Sequence, residues 1–338
     1  MRTPIARAAA LGATTLMIAT GCAAGGEDDS GEGVAPADAA LTVVTGVYPL
    51  EWLAREIGGE DVAVVQLTEP GTEPHDLELT GRQIAQVSEA DIAFYVGGLQ
   101  PAVDEAVGQE AADAALDVAD VVELHPAGEG GGHAEDDGHD HSGDGHDHGD
   151  EEHGEDDGHD GHDHGDLDPH FWLDVDLMQE AASALAERMG EVDPDGADRY
   201  QEGAERVIGE LSGIGEEYEA GLGSCEHREV VVGHTAFSYL TERYDLEQIG
   251  VSGVDPDTEP SPAQIAAITD IVRDRDISTI FTEPLMPAAT ADTIAAETGA
   301  RVEVLDPLEG VTERSPGDDY PSIMRGNLDA LSEALTCD

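Results

Sequence analysis

Three histidines stand where loops follow ordered stretches. His75 ends Glu73-Pro74-His75, His170 ends Asp168-Pro169-His170, and His234 follows Val231-Val232-Gly233. In the first two, proline precedes the ring and limits how the loop can present it. A lone loop histidine is as a rule a solvated residue. Three that converge, joined by one carboxylate, match a tetrahedral Zn²⁺ site or a slightly larger Mn²⁺ site. The three lie tens of residues apart, so spacing alone leaves both readings open. His125 and His227 sit beside charged or loop residues and read as solvated.

A different kind of histidine site occupies residues 133–166. This stretch holds nine His, fifteen acids, eight Gly, one Ala and one Ser. Nothing in it can bury apolar surface, so it reads as a disordered insert. His133, His139, His141, His146, His148, His153, His159, His162 and His164 offer many weak, interchangeable positions for Zn²⁺, Ni²⁺ or Cu²⁺. It reads as a scavenging or sensing arm beside a separate, specific site. Its binding should fail below the imidazole pKa of about 6.5.

The elements that position these residues follow from the rest of the chain. Its 338 residues carry 14 cations, all Arg, against 76 acids, a formal charge of −62. Phosphates would be repelled, which excludes nucleic acid as a partner, and anionic lipid is no better matched. Arg2, Arg7 and an apolar run from Ala8 to Ala19 read as a secretory leader too short to span a bilayer. Small residues before Cys22 resemble a lipobox, with Ala19 where leucine is usual; lipidation would make Cys22 the mature N-terminus. In an exported chain, Cys225 and Cys337 remain as an even pair and read as a disulfide.

Past a flexible tether at 22–40, β-rich runs alternate with helical periodicity, the pattern of parallel α/β sheets. The spacing predicts strands at 41–45, 62–67, 91–96 and 118–124, and helices at 48–57 and 103–116. Thr80 opens a further helix as a capping box, with Ile84 and Val87 inward. After the insert, Asp174 caps a helix to about Gly190. One long helix, 197–222, then spans about 39 Å. The pattern repeats: strands at 229–233, 277–282 and 301–305, and helices from the Ser261 capping box, at 288–298 and at 320–335. The expected organisation is a leader at 1–21, the tether, a first α/β lobe at 41–192, a linking helix at 193–224 and a second α/β lobe at 225–338.

Four motifs in order carry a resemblance: Gly71 to Glu78, Asp168 to Asp174, Val231 to Tyr239, and Glu297 to Ala300. They resemble the metal-binding lipoproteins of ABC transporters, the zinc-uptake ZnuA-like group of the cluster A-I family. The likeness runs from about Leu41 to Leu335, and an acidic histidine loop before the second motif is typical of the zinc branch. The resemblance implies two similar lobes of parallel β-sheet flanked by helices, joined by one long backbone helix, with metal in the cleft. It implies His75, His170 and His234 as ligands. Manganese-type members often carry a carboxylate at the third position, so His234 favours zinc. Glu309 is the expected fourth ligand, with Glu73 an alternative and Glu283 a supporting acid.

The function so implied is capture of Zn²⁺ outside the membrane by a lipid-anchored monomer and its delivery to an ABC permease, with no reaction catalysed. Manganese or iron uptake is the alternative within the class. A three-histidine zinc hydrolase with water at an open position belongs to another class; no HExxH is present and no general base is evident. A surface metal buffer or adhesin is a third.

Overall fold

The computed structural model describes residues 39–128, 167–256 and 259–337. The leader, Cys22, all but the last two residues of the tether, and the insert at 133–166 lie outside them. Two four-stranded parallel sheets form the framework. The first takes β1 (Leu41–Thr45), β2 (Val62–Gln66), β3 (Ile92–Tyr95) and β4 (Ala115–Asp117) in the order β2-β1-β3-β4. The second repeats that order as β6-β5-β7-β8, with β5 (Glu229–Val232), β6 (Glu247–Gly250), β7 (Thr279–Thr282) and β8 (Arg301–Val304).

Side chains alternate across each central strand, which decides what each sheet face packs against. Leu41, Val43, Ile92 and Phe94 enter a large shared core, while Val44 and Ala93 enter an outer cluster. That cluster is completed by Val87 of α2 (Gly81–Ser88) and by Val103 and Val107 of α3 (Pro101–Glu110). In the second sheet Val230 and Val232 join the shared core. Val231 instead meets Ile268 and Val272 of α7 (Pro262–Asp274) and Ile294 of α8 (Ala289–Thr298).

The shared core runs from Leu41 to Leu335 and so belongs to both lobes. Its axis is α5 (Ala197–Leu222), which packs on α1 (Tyr48–Gly58), α4 (Val175–Val192) and α9 (Tyr320–Ala334). Buried residues line α5 from Tyr200 to Leu222. At Gly203 the helices approach so closely that a Cβ would stand 2.4 Å from the Ile57 carbonyl oxygen. Capping boxes form at Thr80 and Ser261, each with a glutamine three residues on.

The structure corrects the sequence reading between residues 103 and 124. The helix stops at Glu110, and Ala115–Asp117 is the edge strand. Pairing with β3 overrides the helix preference of an alanine-rich run. The expected strand at 118–124 is instead a 3-10 turn and loop. Its apolar residues at 118, 121 and 122 have helical spacing, and Asp117 caps the turn through the Ala119 N–H. Ile84, expected inward, is 39% exposed, whereas Val87 is buried. Two elements carried no clear signal: β6, with one β-branched residue in four, and α6 (Ser238–Arg243), too short to show a period.

Cys225 and Cys337 form a disulfide across 112 residues of sequence. Closing so long a loop is worth about 4–5 kcal/mol in the chain-entropy model. The double variant Cys225→Ser, Cys337→Ser is therefore expected to lose about 3–5 kcal/mol of unfolding free energy in a denaturant titration.

Candidate metal centre

The carboxyl ends of both sheets feed one site, where open α/β sheets bind ligands. His75 lies in the loop between β2 and α2, and His234 follows β5 after a single glycine. Glu309 lies beyond β8, and His170 precedes the short turn Phe171–Leu173 that leads into α4. From Glu309 Oε1, the Nε2 atoms of His75, His170 and His234 stand at 3.3, 3.1 and 3.3 Å. All four ligand atoms lie within 4.8 Å of one another. Atoms bound tetrahedrally at about 2.1 Å from one ion stand about 3.4 Å apart, so the three contacts to Glu309 already have that spacing.

Each ring is aimed by an acid. Asp168 Oδ1 accepts the His170 backbone N–H at 3.0 Å and lies 2.7 Å from its Nδ1. Glu283, just past β7, takes the His234 N–H at 3.0 Å and sits 2.5 Å from its Nδ1. A proton on His170 Nδ1, donated to Asp168, turns its Nε2 lone pair toward Glu309, and the Glu283 carboxylate beside His234 Nδ1 favours the same tautomer there. Glu73 accepts the His75 N–H at 3.2 Å. Gly233 makes room for Glu283: a Cβ there would meet Glu283 Oε1 at 2.8 Å.

A further layer steadies those acids and loops. Ser238 Oγ donates to Asp168 Oδ2, and the Tyr239 hydroxyl donates to the Asp168 carbonyl at 2.7 Å. Trp172 donates its indole N–H to Pro307 O at 2.7 Å, joining the His170 segment to the Glu309 loop. That loop carries Leu308 at φ 63°, a left-handed conformation that an L side chain adopts at a cost of about 1–2 kcal/mol. Leu308 N–H donates to Asp306 Oδ1 at 2.8 Å, and Asn327 clamps Asp306 through both backbone groups.

His170, His234 and Glu309 are fully or almost fully buried, whereas the His75 side chain is 12% exposed. Burial by itself lowers the His234 pKa, but the Glu283 and Glu309 carboxylates outweigh it and raise it well above 6.5. Burial likewise opposes a rise at His170 that Asp168 and Glu309 impose. Burial pushes Glu309 up, yet His234, His170 and His75 hold it well below 4.5. The pocket thus demands positive charge beside Glu309, either as protons on the rings or as a cation that replaces them. Three nitrogens and one carboxylate oxygen suit Zn²⁺.

The structure brings His75, His170, His234 and Glu309 together. Glu73 stays on the His75 backbone and outside that group, and Glu283 supports His234 as a neighbour. His227 is exposed. His125 departs from the solvated reading: it stacks on Tyr239 at 4.3 Å and its Nδ1 lies 3.2 Å from Glu242. The nine histidines of the insert and Cys22 lie outside the described residues. Sequence reading missed Asp168. Its signal was present, since an acid stands two residues before the ring in both Glu73-Pro74-His75 and Asp168-Pro169-His170. Ser238 and Tyr239, like Glu283 as the carboxylate that orients His234, had no local signal.

A family model described as the periplasmic component A of a zinc-uptake complex, ZnuA, matches residues 43–334. The high-affinity zinc uptake system protein ZnuA of Bacillus subtilis is 31% identical over 301 residues, covering 87% of this chain and 88% of that protein. Among solved structures, the laminin-binding protein Lmb of Streptococcus agalactiae, described as a bifunctional adhesin and metal transporter, aligns with a TM-score of 0.70 and 27% identity. That alignment covers 87% of this chain and 99% of the other. Zn(II)-bound AdcA from Streptococcus pneumoniae aligns at 0.69 and 26% identity over 87% of this chain, which spans only 57% of AdcA.

The pKa directions predict opposite responses with and without metal. Metal-free, the raised imidazoles contribute stability that is full below about pH 6.5 and is lost as pH rises through their folded values. Glu309, depressed, contributes stability above about pH 4.5 that is lost only as pH falls through its folded value, so it stays ionised in this window. Zn²⁺ needs neutral rings and binds better as pH rises. The Zn²⁺-induced increase in melting temperature should therefore grow between about pH 6 and about pH 8.5. A flat increment in scanning calorimetry would contradict this.

Proposed function

The chain belongs to the ZnuA family of zinc-uptake components, and from that membership we propose that it captures Zn²⁺ outside the cytoplasmic membrane and hands it to an ABC permease. Zn²⁺ is cargo, so no bond is made or broken in it. The observation that carries the reading is the convergence of three Nε2 atoms on Glu309 Oε1 in a buried pocket. Glu309 fills the position that a hydrolase keeps for water, which favours storage of the ion over its use as a Lewis acid. Three imidazoles favour zinc over manganese, whose preferred ligands are oxygen.

The protein is held at the outer membrane face through a lipid on Cys22, with the acidic tether giving it reach. The His-rich insert gathers cations at weak sites near the specific one. The ends of the described chain on either side of it meet at an antiparallel bridge between Pro126 and Leu167. Removal of 133–166 would therefore leave the fold intact.

Titration calorimetry tests this directly. The wild-type protein should take up one tight equivalent of Zn²⁺ and several weak ones. Deletion of 133–166 should remove the weak ones alone. His170→Ala should weaken the tight site by at least about tenfold. Loss of the tight equivalent together with the insert would refute the assignment. Zinc uptake by cells lacking the gene should return with the wild-type chain and not with His170→Ala.

A further inference from the structure

Two of the three converging histidines are aimed through their rings, by Asp168 and by Glu283. His75 is aimed through its backbone. Glu73 accepts its N–H, and the carbonyl of Pro74, one residue earlier, accepts a hydrogen bond from Gln100 Nε2 at 3.0 Å. We infer that Gln100 is a positioning residue for the cation site, placing the His75 imidazole against Glu309 by holding the Pro74 carbonyl. The inference rests on the zinc-binding reading above.

The surroundings of Gln100 are built for this contact. It is the N-cap residue of α3 and is 2% exposed. Its amide nitrogen donates a second bond to Thr68 Oγ1 at 2.9 Å, and the Thr68 hydroxyl donates to Gly46 O at 2.6 Å. One side chain thus ties the His75 loop to the ends of β1 and β2. Gly46 leaves the space this needs, since a Cβ there would stand 2.2 Å from Gln100 Oε1. Proline has no N–H, so the Pro74 carbonyl is the one backbone group at that residue available for hydrogen bonding. The Pro74 carbonyl also accepts the Leu77 N–H at 3.3 Å, within the same loop; Gln100 supplies the shorter bond and the one that ties this carbonyl to the rest of the lobe. The hydrogen bonds of the Gln100 amide run to Thr68 and Pro74, and its effect on the ion must pass through the loop that bears His75.

A double-mutant cycle separates this role from general support of the lobe. Zn²⁺ affinity is measured by competition with a chromophoric chelator for wild type, Gln100→Leu, His75→Ala and the double variant. Gln100→Leu should bind about tenfold more weakly than wild type, the scale of losses from residues behind a ligand. On the His75→Ala background it should cause no further loss. Thr68→Val, which disturbs the same buried network but leaves the Pro74 contact, should keep wild-type affinity. Gln100→Asn, which retains the donor but is too short to reach, should repeat the Gln100→Leu pattern and serves if the leucine variant does not fold. Equal losses on both backgrounds, an equal loss in Thr68→Val, or wild-type affinity in the Gln100 variants would overturn the inference. A wild-type protein with no tight equivalent of Zn²⁺ would instead overturn the function on which it rests.

Discussion

Four electron-rich atoms from four separate segments are held face to face in a buried place. With His170 and His234 oriented by carboxylates at Nδ1, the inward nitrogens are acceptors, and so is Glu309. Such a group is repulsive by itself in a medium that screens charge poorly. Protons on the rings relieve it at pH values below their raised folded pKa values, and a divalent cation takes their place. An electrostatically unfavourable empty arrangement favours cation binding only if the rest of the molecule keeps it from relaxing.

It does so by sharing one core between the lobes. The cluster from Leu41 to Leu335 is continuous, and one face of α5 is buried in it from Tyr200 to Leu222. Packed interiors resist continuous deformation, so wide swinging of one lobe against the other would break that packing. Motion that lets an ion in or out is easier in the loops than in this core. Among the four candidate ligands, the His75 side chain is the one with appreciable exposure, and its loop is held chiefly by backbone hydrogen bonds. His170 is instead locked from several directions, by Asp168, Ser238, Tyr239 and the Trp172–Pro307 contact.

The described residues that flank the insert lie beside the cation site. Tyr239 accepts the His125 N–H at 2.8 Å and donates to the Asp168 carbonyl, so it bridges the two chain segments that flank the insert. Asp168 N–H also donates to the His125 carbonyl at 2.8 Å. The described residues on either side of the insert are thus tied together beside the acid that orients His170. In the proposed function the division of labour is chemical: many exchangeable imidazoles of the insert collect cations, and one rigid set retains them. An overall charge of −62 draws cations toward both.

Much was legible without coordinates because it is local. Period-2 and helical patterns, capping boxes at Thr80 and Ser261, and the 26-residue helix depend on neighbours a few positions apart. The same holds for Glu73-Pro74-His75 and Asp168-Pro169-His170, whose acid, proline and ring act within three residues. The end of α3 and the edge strand at Ala115–Asp117 were not legible, since pairing with β3 decided them. Nor was Glu283 legible as the carboxylate that orients His234, because 49 residues separate the two and only sheet order places them side by side. The sequence alone determined which residue types could hold a cation. The tertiary structure decided that four of them share one point and that acids, together with Gln100, hold them there, because distances between side chains are set by packing and not by position along the chain.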